Sequence, residues 1–278
     1  MEQFRELLDV LPARYQSLDF KTLSDLRLRL GKPPAVLSSG PERMLSGLVR
    51  AQELEEILQR ATGRSAYACM QTLRQGFVTL PGGHRIGVCG SVVVKDGQMT
   101  GYSALSSLCI RIAHDVPIAP EGLLPHLRDS ALIIGAPGCG KTTLLRACIR
   151  ALCGAGSSVC VADTRGEIAG AWRGGAQFDL GARCDVLIGA EKCEGMLLLL
   201  RVMRPQWIAV DEITAERDIS AMEQISYCGV KLLATAHARD VAELSRRPLY
   251  RRLCALEIFR RILVLDADRH LTVQEAAR

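Results

Sequence analysis

The sequence predicts an α/β protein in two parts: a smaller α+β domain over residues 1–115 and a larger domain with a parallel sheet over 128–278, joined by a proline-containing linker over 116–127. Three observations carry this expectation. Upstream of the linker, apolar residues alternate with a period of two and are punctuated by hairpin turns, the pattern of a sheet with one solvated face. Downstream, near-continuous apolar strands alternate with helical segments, the pattern of a sheet covered by helices on both faces. Between them, Pro117, Pro120 and Pro125 interrupt regular structure within one short stretch.

The elements follow in order. Between Ser24 and Leu37, Leu26, Leu28 and Leu30 alternate with Arg27 and Arg29, a half-buried strand that Gly31 and the Pro33-Pro34 pair break. Leu54, Ile57, Leu58 and Ala61 recur at helical spacing opposite Glu53, Glu55, Glu56 and Arg60, so a helix is expected to start near Ala51. From Phe77 to Val94, short apolar runs are separated by Pro81-Gly82-Gly83 and followed by Asp96-Gly97, which predicts a hairpin. The last strand of this small sheet is expected at Leu108–Ala113, with Arg111 in its middle. In the larger domain, strands are expected at Ala131–Ile134, Val159–Ala162, Trp207–Val210, Leu232–Ala234 and Ile262–Leu265, giving a doubly wound fold.

Composition narrows the function classes. Hydrophobic residues at 48% and charged residues at 23% are ordinary for a globular chain and leave little room for long disordered stretches. The 11 cysteines include no C-x-x-C pair, which argues against a zinc site or redox dithiol of that spacing, and Cys109 and Cys160 sit inside apolar runs as small hydrophobes. A reducing, cytoplasmic compartment fits that usage. The N-terminus lacks the basic start and apolar core of a secretory signal, and no apolar run reaches the roughly 20 residues that span a bilayer.

The chemistry is concentrated in three places. Gly135-Ala136-Pro137-Gly138-Cys139-Gly140-Lys141-Thr142-Thr143 matches G-x-x-x-x-G-K-[ST] between an apolar strand and a helical run. In such a loop the backbone N–H groups and the helix N-terminus converge on phosphates, so ATP is the expected ligand. Lys141 would reach the β and γ phosphates, Thr142 would place its hydroxyl on Mg²⁺, and Thr143 would cap the α-phosphate side. The apolar strand Trp207–Val210 runs into Asp211 and Glu212, the Walker B pattern: Asp211 is assigned to the Mg²⁺ shell and Glu212 to the attacking water. Thr235-Ala236-His237 ends a third apolar strand, where His237 could sense the γ-phosphate.

These motifs, with Leu200-Arg201-Val202-Met203-Arg204-Pro205 before the Walker B strand, resemble the traffic ATPases of type II and type IV secretion. The likeness is closer still to their stage III sporulation AA family. It extends through Gly83–Gly87, Ile110–Ala113, Asp163–Gly170, Arg183–Leu187, Lys192–Gly195 and Gly229-Val230, and so covers nearly the whole chain. The resemblance implies a RecA-like P-loop ATPase domain and a homo-oligomeric, hexameric ring. It also implies a cytoplasmic mother-cell location and a membrane protein partner in a secretion-like channel toward the forespore. It brings Arg85 and Arg111 of the first domain toward bound nucleotide, with Arg183, Arg201 and Arg204 as further candidate arginines. One departure matters: the acidic box reads Ala162-Asp163-Thr164, where the family often places Glu directly after the Asp. Glu212 is therefore the first choice for water activation, with Asp163 and Glu167 as the other nearby acids.

Two other function classes compete. A nucleic-acid-stimulated ATPase draws on the net charge of +5 and on the pairs Arg246-Arg247, Arg251-Arg252 and Arg260-Arg261, but aromatics at 4% supply no stacking platform. The other is a nucleotide-binding scaffold with little turnover.

Overall fold

The computed structural model describes residues 4–38, 40–63, 73–74, 76–116, 118, 122–172 and 175–276. The chain forms two compact units, Met1–His114 with Gly170–Gln177, and Asp115–Ala169 with Phe178–Arg278. Pro117 and Pro120 of the expected linker lie outside the described residues, and Pro125 starts off a short 3₁₀ turn, Leu124–His126, as its second residue.

In the first unit, α1 (Arg5–Val10), β1 (Asp25–Arg29), β2 (Ala35–Leu37), β3 (Arg43–Met44), α2 (Ala51–Ala61), β4 (Phe77–Thr79), β5 (Arg85–Lys95) and β6 (Gln98–Arg111) follow in order. The strands form one antiparallel sheet ordered β3-β2-β1-β6-β5-β4. The period-two pattern explains its two faces. Leu26, Leu28, Ile86, Leu108 and Ile110 are buried with Leu54 and Ile57 of α2 in one core, while Arg27 and Arg29 turn outward to Glu42 at 3.3 and 3.2 Å. The β5–β6 hairpin turns at Asp96 and Gly97, with φ of 52° and 73°, the paired positive values that an Asp-Gly turn supplies. Its second strand runs from Gln98 to Arg111, starting earlier and ending sooner than the expected Leu108–Ala113, because residues 98–106 continue as a partly exposed ribbon with no apolar run to mark them.

The second unit contains β7 (Ala131–Gly135), α3 (Lys141–Gly154), β8 (Val159–Asp163), β9 (Cys184–Ile188), α4 (Lys192–Met203), β10 (Trp207–Val210), α5 (Glu216–Tyr227), β11 (Lys231–His237), α6 (Val241–Arg246), α7 (Pro248–Ala255), β12 (Arg261–Leu265) and β13 (Leu271–Glu275). The sheet order is β13-β12-β7-β11-β10-β8-β9, parallel throughout except for the β12–β13 pair. Alternate residues of each central strand enter different cores. Ile133, Val161, Ala209 and Leu233 pack with Leu145, Cys148 and Ile149 of α3. Ile134, Cys160, Ile208 and Ala234 pack with Met196 of α4 and with Ile219, Met222 and Ile225 of α5. Helices on both faces are why β7, β8 and β10 are buried at every position and read as unbroken apolar runs. The two strands outside the expected five, β9 and β13, are the sheet's edges, only partly buried and interspersed with Asp185, Thr272 and Gln274. No helix among the described residues is long and apolar enough to cross a membrane.

Candidate active site

Parallel register brings the polar ends of four strands to one edge of the second unit's sheet. His237 pairs with Gly135, and Val210 pairs with both Ala162 and Ala234, so Gly135, Asp163, Asp211 and His237 emerge at the same carboxyl-terminal side. This is where open α/β sheets hold ligands.

The loop from Gly135 to Gly140 has a shape only glycine permits at its critical points. Gly138 and Gly140 have φ of 79° and 106°. A Cβ on Gly135 would lie 2.6 Å from the Leu265 carbonyl oxygen and 2.5 Å from Cys139 Sγ. Then α3 starts at Lys141 with Gly140 as its N-cap and no side-chain cap, leaving the first-turn N–H groups without carbonyl partners inside the helix. Lys141 is 7% exposed, and its Nζ donates to the carbonyls of Gly135 at 3.0 Å and Ala136 at 2.8 Å. Burial pushes its pKa down, while Cys139, Asp211 and Glu212 pull it back.

Beneath the loop, Thr142 Oγ1 donates to Asp211 Oδ2 at 2.8 Å, and Thr235 Oγ1 donates to Asp211 Oδ1. The same Thr235 hydroxyl accepts the Glu212 N–H at 2.7 Å. Glu212 follows with φ of 54°, and its carboxylate lies 3.1 Å from His237 Nε2 and 3.7 Å from Arg165 Nη1. A cleft of about 150 Å³ opens beside this cluster, lined by Asp163, Arg165, Glu167, Lys192, Asp211 and Glu212 among others. Asp163 itself is 3% exposed, and its two oxygens accept the N–H groups of Glu167 and Ala169, each at 2.9 Å. Burial raises its pKa against the pull of those donors. Asp163 thus holds the loop after β8 in shape, and Glu167 is carried on that loop into the cleft.

The structure therefore gathers Lys141, Thr142, Asp211, Glu212, Glu167 and His237 in one unit. Arg85 and Arg111 belong to the other, where they face each other across β5 and β6. There the Arg85 guanidinium lies 4.3 Å from the Phe77 ring centre and Arg111 Nε lies 4.0 Å from Asp25. Arg201 Nε donates back to the Leu197 carbonyl, and Arg204 caps α4 with φ of 50°. Of the doubled arginines, Arg247 and Arg261 are ion-paired to Glu243 and Glu275 at 2.7 and 2.6 Å, and Arg252 is paired to Glu216. Sequence reasoning gave no role to Thr235, Arg165 or Lys192. The signal for Thr235 was a hydroxyl in an otherwise apolar buried strand.

The profile of the family described as Sporulation stage III, protein AA matches residues 4–274. The chain belongs to this family. One relative within the stage III sporulation AA family is Stage III sporulation protein AA of Bacillus subtilis (strain 168), 34% identical over 278 residues that cover 94% of this chain and 90% of that protein. Among solved structures, the Legionella pneumophila ATPase DotB is similar with a TM-score of 0.59 at 17% identity, over 91% of this chain and 76% of DotB. The pilus retraction motor PilT, solved with bound ADP, gives a TM-score of 0.61 at 15% identity, over 98% of this chain and 84% of PilT. At those identities the likeness is one of fold, and the fold is a RecA-like P-loop architecture.

Proposed function

We propose that this chain binds Mg-ATP in the loop Gly135–Thr143, hydrolyses it, and works as a homo-oligomeric ring that energises a secretion-like channel between mother cell and forespore. The observation that carries the reading is the contact of Thr142 Oγ1 with Asp211 Oδ2 at 2.8 Å directly under the phosphate loop. A hydroxyl and a carboxylate at one point are hard oxygen donors of the kind Mg²⁺ takes together with waters and phosphate oxygens, so the residues present fit the ion. Bound there, Mg²⁺ would offset charge on the β and γ phosphates. The chain's own part is then specific. Lys141 and the first-turn N–H groups of α3 hold the phosphates, Glu212 accepts the proton of the attacking water, and His237 steadies the Glu212 carboxylate. The ring, the channel and the mother-cell side are drawn from membership of the sporulation family, and a fold like those of the ATPase DotB and the motor PilT agrees with an ATP-driven machine. A membrane protein of the same sporulation complex is the partner this reading requires.

Phosphate release measured against protein concentration, with light scattering on the same samples, tests the ring. Turnover is expected to rise with assembly and to vanish when EDTA removes Mg²⁺; full turnover by a monomer would overturn the oligomeric part. In this reading Arg85 and Arg111 supply positive charge to nucleotide held by a neighbouring copy, as an arginine finger does. Mixing an Arg85→Ala, Arg111→Ala chain with a Lys141→Ala chain should then restore part of the activity that each lacks alone. Mixed rings confirmed by mass spectrometry with no recovery would remove the trans role.

A further inference from the structure

Glu212 has φ of 54°, in the left-handed region that residues with a side chain rarely adopt. Contacts from elsewhere must hold it there. Two come from β11: the Glu212 N–H donates to Thr235 Oγ1 at 2.7 Å, and the Ile213 N–H donates to the Thr235 carbonyl at 2.9 Å. The third comes from the first residue of α4, whose Lys192 Nζ donates to the Glu212 carbonyl.

Lys192 is a largely buried cation that serves two partners, the Glu212 carbonyl and the Asp218 carboxylate. Its side chain is 14% exposed, and burial pushes its pKa down while Asp218, Asp211 and Glu212 draw it up. Its ammonium lies 4.0 Å from Asp218 Oδ2. That same oxygen, on a residue 2% exposed, accepts the N–H groups of Thr214 and Ala215 at 3.2 and 3.1 Å. Asp218 Oδ2 thus has two backbone donors, and Lys192 adds a positive charge beside it. An apolar residue at position 192 would leave the Glu212 carbonyl without this donor and the buried Asp218 carboxylate without its cation. The lysine also lines the cleft into which the Glu212 carboxylate faces.

We propose that Lys192 is a positioning residue: it grips the Glu212 backbone carbonyl from α4 and, with Thr235 on the other side, fixes the left-handed turn that aims the Glu212 carboxylate at the attacking water. This rests on Glu212 being the base. In this role Lys192 acts through Glu212, so its loss should lower the rate of the chemical step and leave substrate binding alone.

The test uses the full chain with Lys192→Met, which keeps the stem, and Lys192→Gln, which keeps a polar end too short to reach. The second variant serves if the first does not fold. Each should lower kcat about tenfold to a hundredfold, the scale of a misaimed catalytic group, with KM and the affinity for a fluorescent ATP analogue within about twofold of wild type. Hydrogen exchange gives a readout independent of turnover: the Glu212 and Ile213 amides should exchange at least about tenfold faster than in wild type, while the amides of β7 and β8 keep their protection. An unchanged kcat, weakened ATP-analogue binding in place of a lower kcat, or unchanged exchange at 212 and 213 would each overturn the proposal. If wild type shows no turnover, the hydrolytic reading fails by itself, and the exchange comparison still decides whether Lys192 holds Glu212.

Discussion

Glu212→Gln should retain wild-type affinity for Mg-ATP and lose turnover by about 10² to 10⁴-fold, the usual contribution of a positioned general base. The amide keeps the shape of the carboxylate and leaves an oxygen acceptor beside His237 Nε2, which lies 3.1 Å from Oε1. It cannot take a proton from water. Its backbone is held by Thr235 and Lys192 through the N–H and C=O, not through the side chain, so the substitution leaves the turn in place and the loss reports on chemistry. Asp211 keeps both of its hydroxyl partners, Thr142 and Thr235, which is why affinity should hold. Equilibrium binding of a fluorescent ATP analogue and steady-state phosphate release separate the two quantities. Glu167→Gln is the comparison: normal hydrolysis by Glu212→Gln with loss in Glu167→Gln would move the base to the loop after β8.

What could be read from sequence divides by distance along the chain. The phosphate loop is contiguous, and its glycines answer local needs, such as the close approach of the Leu265 carbonyl to Gly135, so the motif and its role are legible together. Walker B is legible for the same reason, an apolar strand ending in adjacent acids. The central strands could be seen because both faces are covered. The edges β9 and β13 could not, since an edge strand needs only a partial apolar pattern. The site's second layer is non-local: Asp211 meets Thr142 across 69 residues and Thr235 across 24. Lys192 meets Glu212, in the loop after β10, from the start of α4. No spacing rule links those positions, and only parallel register puts them side by side. Asp163 illustrates the other limit. An acid after an apolar strand reads as a candidate for chemistry, yet its two backbone N–H partners show a carboxylate occupied in shaping a loop.

Lys141→Ala should weaken ATP binding by about 2–5 kcal/mol, the cost of removing one partner from a hydrogen-bonded charge pair in a buried setting, which is roughly 30-fold to several-thousand-fold in Kd. The backbone N–H groups at the start of α3 supply partial charges only, and they cannot replace a full ammonium opposite the terminal phosphates. A second, smaller effect comes with it. Lys141 Nζ donates to the carbonyls of Gly135 and Ala136, and Gly135 is buried, so the alanine chain leaves loop acceptors without that donor. An unsatisfied buried acceptor costs about 1–3 kcal/mol of stability, offset in part because a buried cation no longer has to be desolvated. Thermal unfolding without nucleotide measures this term, and titration with ATP measures the first. In wild type, saturating Mg-ATP should raise Tm, because a ligand that binds only the folded chain stabilises it in proportion to the logarithm of its concentration over Kd. In Lys141→Ala that rise should shrink or disappear at the same nucleotide concentration. Undiminished affinity together with an undiminished Tm rise would mean that the phosphates do not sit at the N-terminus of α3, and the assignment of Gly135–Thr143 as the nucleotide site would fall with it.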